Sequence, residues 1–204
     1  MLQPLTLLGQ FIRLEPLSMT HWADLCEVGL DDRIWQWTHP WVRTPEEMRA
    51  MIENALKQQL SGNSLPFATI DLAAGRAVGS TGFLNYSAAD RHVEIGSTWL
   101  GVAWQSTFVN TEAKYLMLGH AFETLGVQRV EFQTDALNER SRAAIPRLGA
   151  RQEGILRKHR IMPGGRVRDS VVFSLLDDEW PAAKAAAKAA LEKRLIGGDD
   201  GNRL

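Results

Sequence analysis

The stretch from Glu94 to Gly149 constrains this chain more than any other, because it reads as strand, tight loop, helix, strand and helix in close succession. At its centre, Trp104-Gln105-Ser106-Thr107-Phe108-Val109-Asn110-Thr111-Glu112-Ala113-Lys114 turns an extended segment into an amphipathic helix. A helix that starts just after such a turn presents unpaired backbone N–H groups and a partial positive charge, a site suited to a phosphate or pyrophosphate. The helix is predicted over about 110–125, since Leu118, Ala121, Phe122 and Leu125 recur at the spacing of a core-facing stripe, and Gly126 ends it. The next segment, about 128–135, alternates like a strand with Val130, Phe132 and Thr134 on one face. A short helix over about 138–148 follows, ends at Gly149 and contains Pro146, which removes one helical hydrogen bond.

The flanks supply more sheet and two more helices. Leu7 to Leu17 reads as a first strand ended by Pro16, and Ser18 or Thr20 caps a helix to about Leu30. An aromatic-rich loop, Ile34-Trp35-Gln36-Trp37-Thr38-His39-Pro40-Trp41, precedes Thr44-Pro45-Glu46-Glu47. That tetrapeptide has the cap, the proline at the first helical position and the reaching glutamate of a helix start, for a helix to about Leu60. Three meandering strands are predicted at about 67–72, 77–86 and 91–101, and a hairpin at 155–161 and 167–176 turns across Pro163-Gly164-Gly165. Ala182 to Leu195 is helical by propensity, and 197–204 reads as a polar, frayed tail. This order predicts an α+β fold with a mixed central sheet.

Composition narrows the function classes. The 204 residues are 45% apolar and 23% charged with a net charge of −1, which is ordinary globular composition without the basic surplus of a nucleic-acid binder. A single cysteine, Cys26, excludes an intrachain disulfide and a multi-cysteine metal site; beside Trp22, Leu25 and Val28 it reads as part of a buried helix face. With no long apolar run and no basic leader, a soluble cytoplasmic protein without membrane partners is expected. The nucleotide-hydrolase, zinc-protease and esterase motifs are missing from the sequence.

Together, the loop opening with Gln105, the alternating strand Gln128 to Asp135, and Asn138-Glu139-Arg140-Ser141-Arg142 resemble the Gcn5-related N-acetyltransferase (GNAT) family, in its RimJ/RimL-like branch. The order of elements matches over roughly 7–177. The resemblance implies a GNAT domain over 1–177 with about seven strands flanked by helices, and a separate Ala/Lys-rich helix and tail over 178–204. It also implies acetyl-CoA as cosubstrate, no metal, and direct transfer of an acetyl group to a primary amine, on a protein N-terminus or a small molecule.

Residue by residue, the resemblance assigns the pyrophosphate to the amides of Gln105, Ser106, Thr107, Phe108, Val109, Asn110 and Thr111. It assigns the thioester carbonyl to an amide of the strand around Trp99 and Leu100, and the pantetheine arm to Asn138 and Ser141. Ser141 is the candidate proton donor to the departing thiolate. Glu94 is the first candidate for the base, with His92 and His120 as other titratable groups nearby. Trp35, Trp37 and His39 fall where the acceptor amine would bind, and tryptophans can hold a cation; the reading as large core residues under a long loop is the stronger of the two.

Two departures stand out. Phe108 occupies the position of the first family glycine, so either it turns away from the amides or coenzyme A binds weakly. The alternative reading is a non-catalytic protein that binds acyl-CoA or acts through protein contacts. The other departure is the lack of a tyrosine acid near Ile145 and Leu148. The Arg157-Lys158-His159-Arg160, Arg166 and Arg168 hairpin suits an acidic substrate group or a solvated, ion-paired surface. Exposed sheet edges and the Ala-rich helix leave room for a homodimer.

Overall fold

A computed structural model describes the backbone of residues 1–196 and the side chains to 193; the predicted polar tail over 197–204 lies outside the described residues. One sheet of eight strands runs through the molecule in the order β1-β2-β3-β4-β5-β6-β8-β7. The strands are β1 Leu7–Leu8, β2 Ile12–Pro16, β3 Leu65–Asp71, β4 Arg76–Ser87, β5 His92–Leu100, β6 Arg129–Asp135, β7 Arg151–Ile161 and β8 Val167–Leu176. The strand predicted over 7–17 is two strands folded back on each other, with Leu8 opposite Arg13. This adds one strand to the expected seven.

Every pairing is antiparallel except β5 with β6. A parallel pair needs a long crossover, and the helix α4, Phe108–Gly119, provides it. The parallel ladder is short: His92 opposite Arg129, Val93 opposite Val130 and Glu94 opposite Glu131. Beyond Glu94 the two strands part, because each follows its antiparallel neighbour. β6 stays paired to β8 as far as Asp135 opposite Ser170, and β5 stays with β4 as far as Leu100 opposite Gly79. A bulge at Ser97, whose φ of 49° is left-handed, bends β5 at this point. The sheet is therefore split by a wedge that narrows to the Glu94–Glu131 pair.

Strand alternation sends Val93, Ile95, Val130, Phe132, Val171 and Phe173 to one face, where they meet Met117, Leu118 and Ala121. The C-terminal helix α6, Trp180–Ile196, docks there through Trp180, which stacks on Phe122 with ring centroids 5.6 Å apart. The opposite face carries a second core, in which Leu25, Ile34, Trp35, Met48 and Ile52 cover Ala68, Ile70, Ala77 and Trp99. These residues come from α1 Trp22–Gly29, α2 Asp32–Trp35 and α3 Pro45–Gln59. Thr44 caps α3 with the predicted capping box. Cys26 is half-buried in α1, and burial pushes its thiol up from the ordinary range, in keeping with a structural residue.

Candidate active site

The wedge opens toward a loop and two helix starts. Val102–Trp104 forms a single tight turn after β5. Gln105 then spans the mouth: its Nε2 donates to the Leu100 carbonyl at 3.0 Å, and its Oε1 accepts from Arg140. Ser106 takes the left-handed φ of 57°. Thr107 caps α4, accepting from the Val109 N–H at 3.3 Å. The helix thus starts at Phe108 rather than near Asn110, and Phe108, Val109, Asn110 and Thr111 form its first turn. No acidic residue occupies that turn, so the positive end of the helix is not neutralised locally.

Phe108 is turned toward the N-terminal hairpin. It has ordinary helical backbone, and its ring tilts against Phe11 of the N-terminal hairpin with centroids 4.5 Å apart. The strained position is Ser106, two residues earlier. Asn110 places its Oδ1 in the interior with no hydrogen-bond partner, which leaves an acceptor open beside the helix start.

Across the wedge, α5 (Glu139–Ala144) starts with Asn138 as its cap; Asn138 Oδ1 accepts from the Ser141 N–H at 3.1 Å. That contact commits the Asn138 side chain to the helix and leaves the Ser141 hydroxyl without a hydrogen bond among the described residues. Ile145 and Leu148 pack into the same core as α4, so Ser141 lies on the α4 side of the sheet. Pro146 opens a separate tight turn, Pro146–Leu148, so the predicted helix is two pieces and the proline breaks nothing. Gly149 closes it at a φ of 91°, where a side chain would be strained. A groove of about 540 Å³ between α5 and the start of β7 contains none of the predicted site residues.

Glu94 occupies the apex of the wedge and points away from α4, since Val93 and Ile95 point toward it. It is only 7% exposed, and Asn85 Nδ2 donates to its Oε2 at 2.8 Å. Burial pushes its carboxyl above the ordinary range, against the lowering effect of that hydrogen bond; the Glu131 charge raises it further. Beside it, Gln133 donates to Glu131 Oε1 at 2.9 Å and keeps a buried, unpartnered Oε1 of its own. This face is therefore lined by acceptors near a carboxyl with proton affinity raised by burial.

The other predicted residues separate. Trp35 is 3% exposed, gives its indole N–H to the Gly29 carbonyl at 2.8 Å and packs on Trp99; it is core, not acceptor site. Trp37 lies under the Arg166 guanidinium, 5.6 Å from Cζ to ring centroid, and His39 is exposed before a cis Pro40. The side chains of Trp99 and Leu100 are buried in the second and first cores respectively, so only their backbone can reach the wedge. His120 packs on Phe83 from the α4 side, away from the Glu94 face.

One polar group that sequence reasoning passed over is Lys114. It is 5% exposed, and its Nζ donates to Thr98 Oγ1 at 2.7 Å and Thr81 Oγ1 at 3.0 Å. Both hydroxyls reach the Gly96 carbonyl, at 3.3 and 3.4 Å, so the lysine backs the β5 bulge. With no carboxylate partner among the described residues, burial pulls its pKa from 10.5 to about 7. A signal existed: four residues before Leu118, the apolar stripe of α4 extrapolates to position 114.

With this geometry established, comparison with known proteins gives the class. A model of the acetyltransferase (GNAT) domain matches residues 12–151. The chain belongs to the GNAT family of acetyltransferases, whose enzymes take acetyl-CoA as cosubstrate. Among solved structures it is similar to a GCN5-related N-acetyltransferase from Brucella melitensis, with a TM-score of 0.88, 33% identity, and coverage of 98% of this chain and 91% of that one. RimJ of Mycobacterium smegmatis, solved in complex with CoA-disulfide, has the same fold with a TM-score of 0.75 and 24% identity over 88% of each chain. YdaF of Bacillus subtilis (strain 168), provisionally named a ribosomal N-acetyltransferase, is 32% identical over 110 residues, 54% of this chain. The matched stretch spans 59% of YdaF's own length. Among the described residues no group of side chains could hold a metal ion, and no helix is long and apolar enough to cross a membrane.

Proposed function

We propose that this chain catalyses direct transfer of the acetyl group of acetyl-CoA to a primary amine, on a protein N-terminus or a small molecule. The observation that carries the reading is the wedge itself. It separates an unneutralised helix N-terminus on one side of the sheet from a buried carboxylate on the other. A thioester passed through that gap would meet an amine at Glu94.

In this reading the first-turn amides of α4 that Thr107 does not cap hold the pyrophosphate. Glu94 takes a proton from the ammonium, directly or through water, because only the neutral amine has a lone pair for attack. Nitrogen then bonds to the carbonyl carbon, and a backbone N–H of the strand around Trp99 and Leu100 stabilises the oxyanion. The carbon–sulfur bond breaks, the Ser141 hydroxyl supplies a proton to the departing thiolate, and the second proton shed by the nitrogen restores that hydroxyl through solvent. The relatives named as N-acetyltransferases support the reaction class. Phe108, the feature that favours the non-catalytic alternative, turns onto Phe11, so the backbone of the loop gives that alternative no support.

The test is calorimetric titration with acetyl-CoA and coenzyme A, followed by a thiol-release screen of amines and N-terminal peptides. Micromolar binding with amine-dependent release is expected. No binding up to millimolar ligand would refute the reading.

A further inference from the structure

On the Glu94 face of the sheet, Arg160 and Arg168 form no ion pair among the described residues. Arg160 and Arg168 are direct cross-strand partners on β7 and β8, an arrangement in which like charges repel. Arg168 is 8% exposed, yet among the described residues it forms no ion pair. Its Nε donates to Ser170 Oγ at 3.0 Å, and its four Nη hydrogens make no hydrogen bond among the described residues. Asp135, whose charge acts on Arg168, is taken by Arg166, which also lies over Trp37. Two guanidiniums opposite each other, one of them largely buried and neither with a carboxylate partner among the described residues, repel, and an anion bound between them would offset that cost.

Arg168 shares its sheet face with Glu94. Ser170 pairs with Asp135, and Asp135 lies two alternations beyond Glu131, the partner of Glu94. The two groups are close enough for the Arg168 charge to act on the Glu94 carboxyl. Burial lowers the affinity of Arg168 for its proton, Asp135 opposes this, and Arg160 and Arg166 add to it. Asp135 is held by Arg166, and Glu131 and Glu153 are both held by Arg129, so these three carboxylates are already engaged and do not pair with Arg160 or Arg168.

We propose that Arg168 and Arg160 form an anion subsite that binds a carboxylate carried by the amine acceptor, orienting its amino group toward Glu94. The inference rests on the transferase reading above and narrows its acceptor to amines bearing a carboxylate. That carboxylate comes either from a free amino acid or from an acidic residue near a peptide N-terminus; planar, bidentate guanidinium contacts suit both.

The test uses the full chain saturated with coenzyme A and pairs of probes with and without the carboxylate. Phenylalanine is set against phenethylamine, and the peptide Ser-Asp-Ala-amide against Ser-Asn-Ala-amide, with binding read by calorimetry. At least one charged probe is expected to bind about tenfold or more tightly than its neutral counterpart, and which one does so identifies the source of the carboxylate. Arg168→Met should cost that probe about thirtyfold in affinity while moving the neutral one less than about threefold. Arg168→Lys should restore part of the preference. Arg160→Met, at an exposed position, gives the same test should Arg168→Met fail to fold. The proposal is overturned if neither charged probe outbinds its counterpart, or if the preference survives in both methionine variants. Failure of the transferase reading appears separately, as failure of the wild-type protein to bind coenzyme A.

Discussion

Lys114→Met tests the electrostatics of the interior more sharply than any other substitution. An ammonium that drops from 10.5 to about 7 on folding makes the native state bind fewer protons than the unfolded state between those values. Stability contributed at this site is therefore lowest below pH 7 and recovers as pH rises toward 10.5. At about 1.4 kcal/mol per unit of pKa, the full cost at low pH is on the order of 5 kcal/mol, falling to roughly 2 kcal/mol at pH 9. Methionine matches the length of the stem and carries no proton. It forfeits two hydrogen bonds to Thr81 and Thr98, a loss that does not vary with pH. The difference in unfolding free energy between variant and wild type should therefore fall by about 2–3 kcal/mol between pH 6.5 and pH 9. Urea denaturation of both proteins at several pH values measures this directly, and every other titrating group cancels in the difference. A flat difference across that range would refute the reasoning, since it would mean that Lys114 keeps its charge in the folded core.

The remaining predictions address the site and its supports. Glu94→Gln keeps an acceptor for Asn85 and should cut turnover by about a hundredfold or more. Because burial raises the Glu94 pKa, the native state loses stability as pH rises through it, so this variant should also melt higher than wild type at pH 8; equal melting temperatures would contradict that burial cost. Phe108→Gly should leave coenzyme A affinity within about threefold, because the ring packs on Phe11, while costing roughly 1 kcal/mol of helix propensity in addition to the lost contact. A tenfold gain in affinity by calorimetry would show that the ring obstructs the loop. Glu112→Ala removes the carboxylate that accepts from the N–H groups of Gln10, Phe11 and Ile12 at 2.7–3.0 Å. It should destabilise the chain by about 2–4 kcal/mol, with hydrogen exchange speeding first at those three amides.

Local signals in the sequence were enough to place most elements. The capping box at Thr44, the alternation of Val130, Phe132 and Thr134, and Asn138 before a helical run each act over a few residues, where chain geometry alone decides. Their order gave the family and the mixed sheet. Glu94, Asn138 and Ser141 stand at the wedge, at its apex and its flanking helix. The sequence could not tell which side of the sheet Phe108 and Trp35 would face, because an aromatic residue in a loop or first turn packs wherever a distant surface receives it. Phe11 receives one and Trp99 the other.

What the chain by itself determined is therefore its elements, their order and the chemical types available along the central strand–helix–strand–helix stretch. Tertiary structure alone decided the separation of β5 from β6 after three residue pairs, since that depends on each strand holding to a different antiparallel neighbour. It also decided which charges go unpaired. Lys114 meets only hydroxyls and Arg168 meets another arginine, and neither fact can be read from residues 16 and 8 positions apart in sequence, such as Lys114 with Thr98 or Arg168 with Arg160. Burial is a property of the assembled core, and it is burial that turns an ordinary lysine, glutamate and arginine into groups with altered proton affinity.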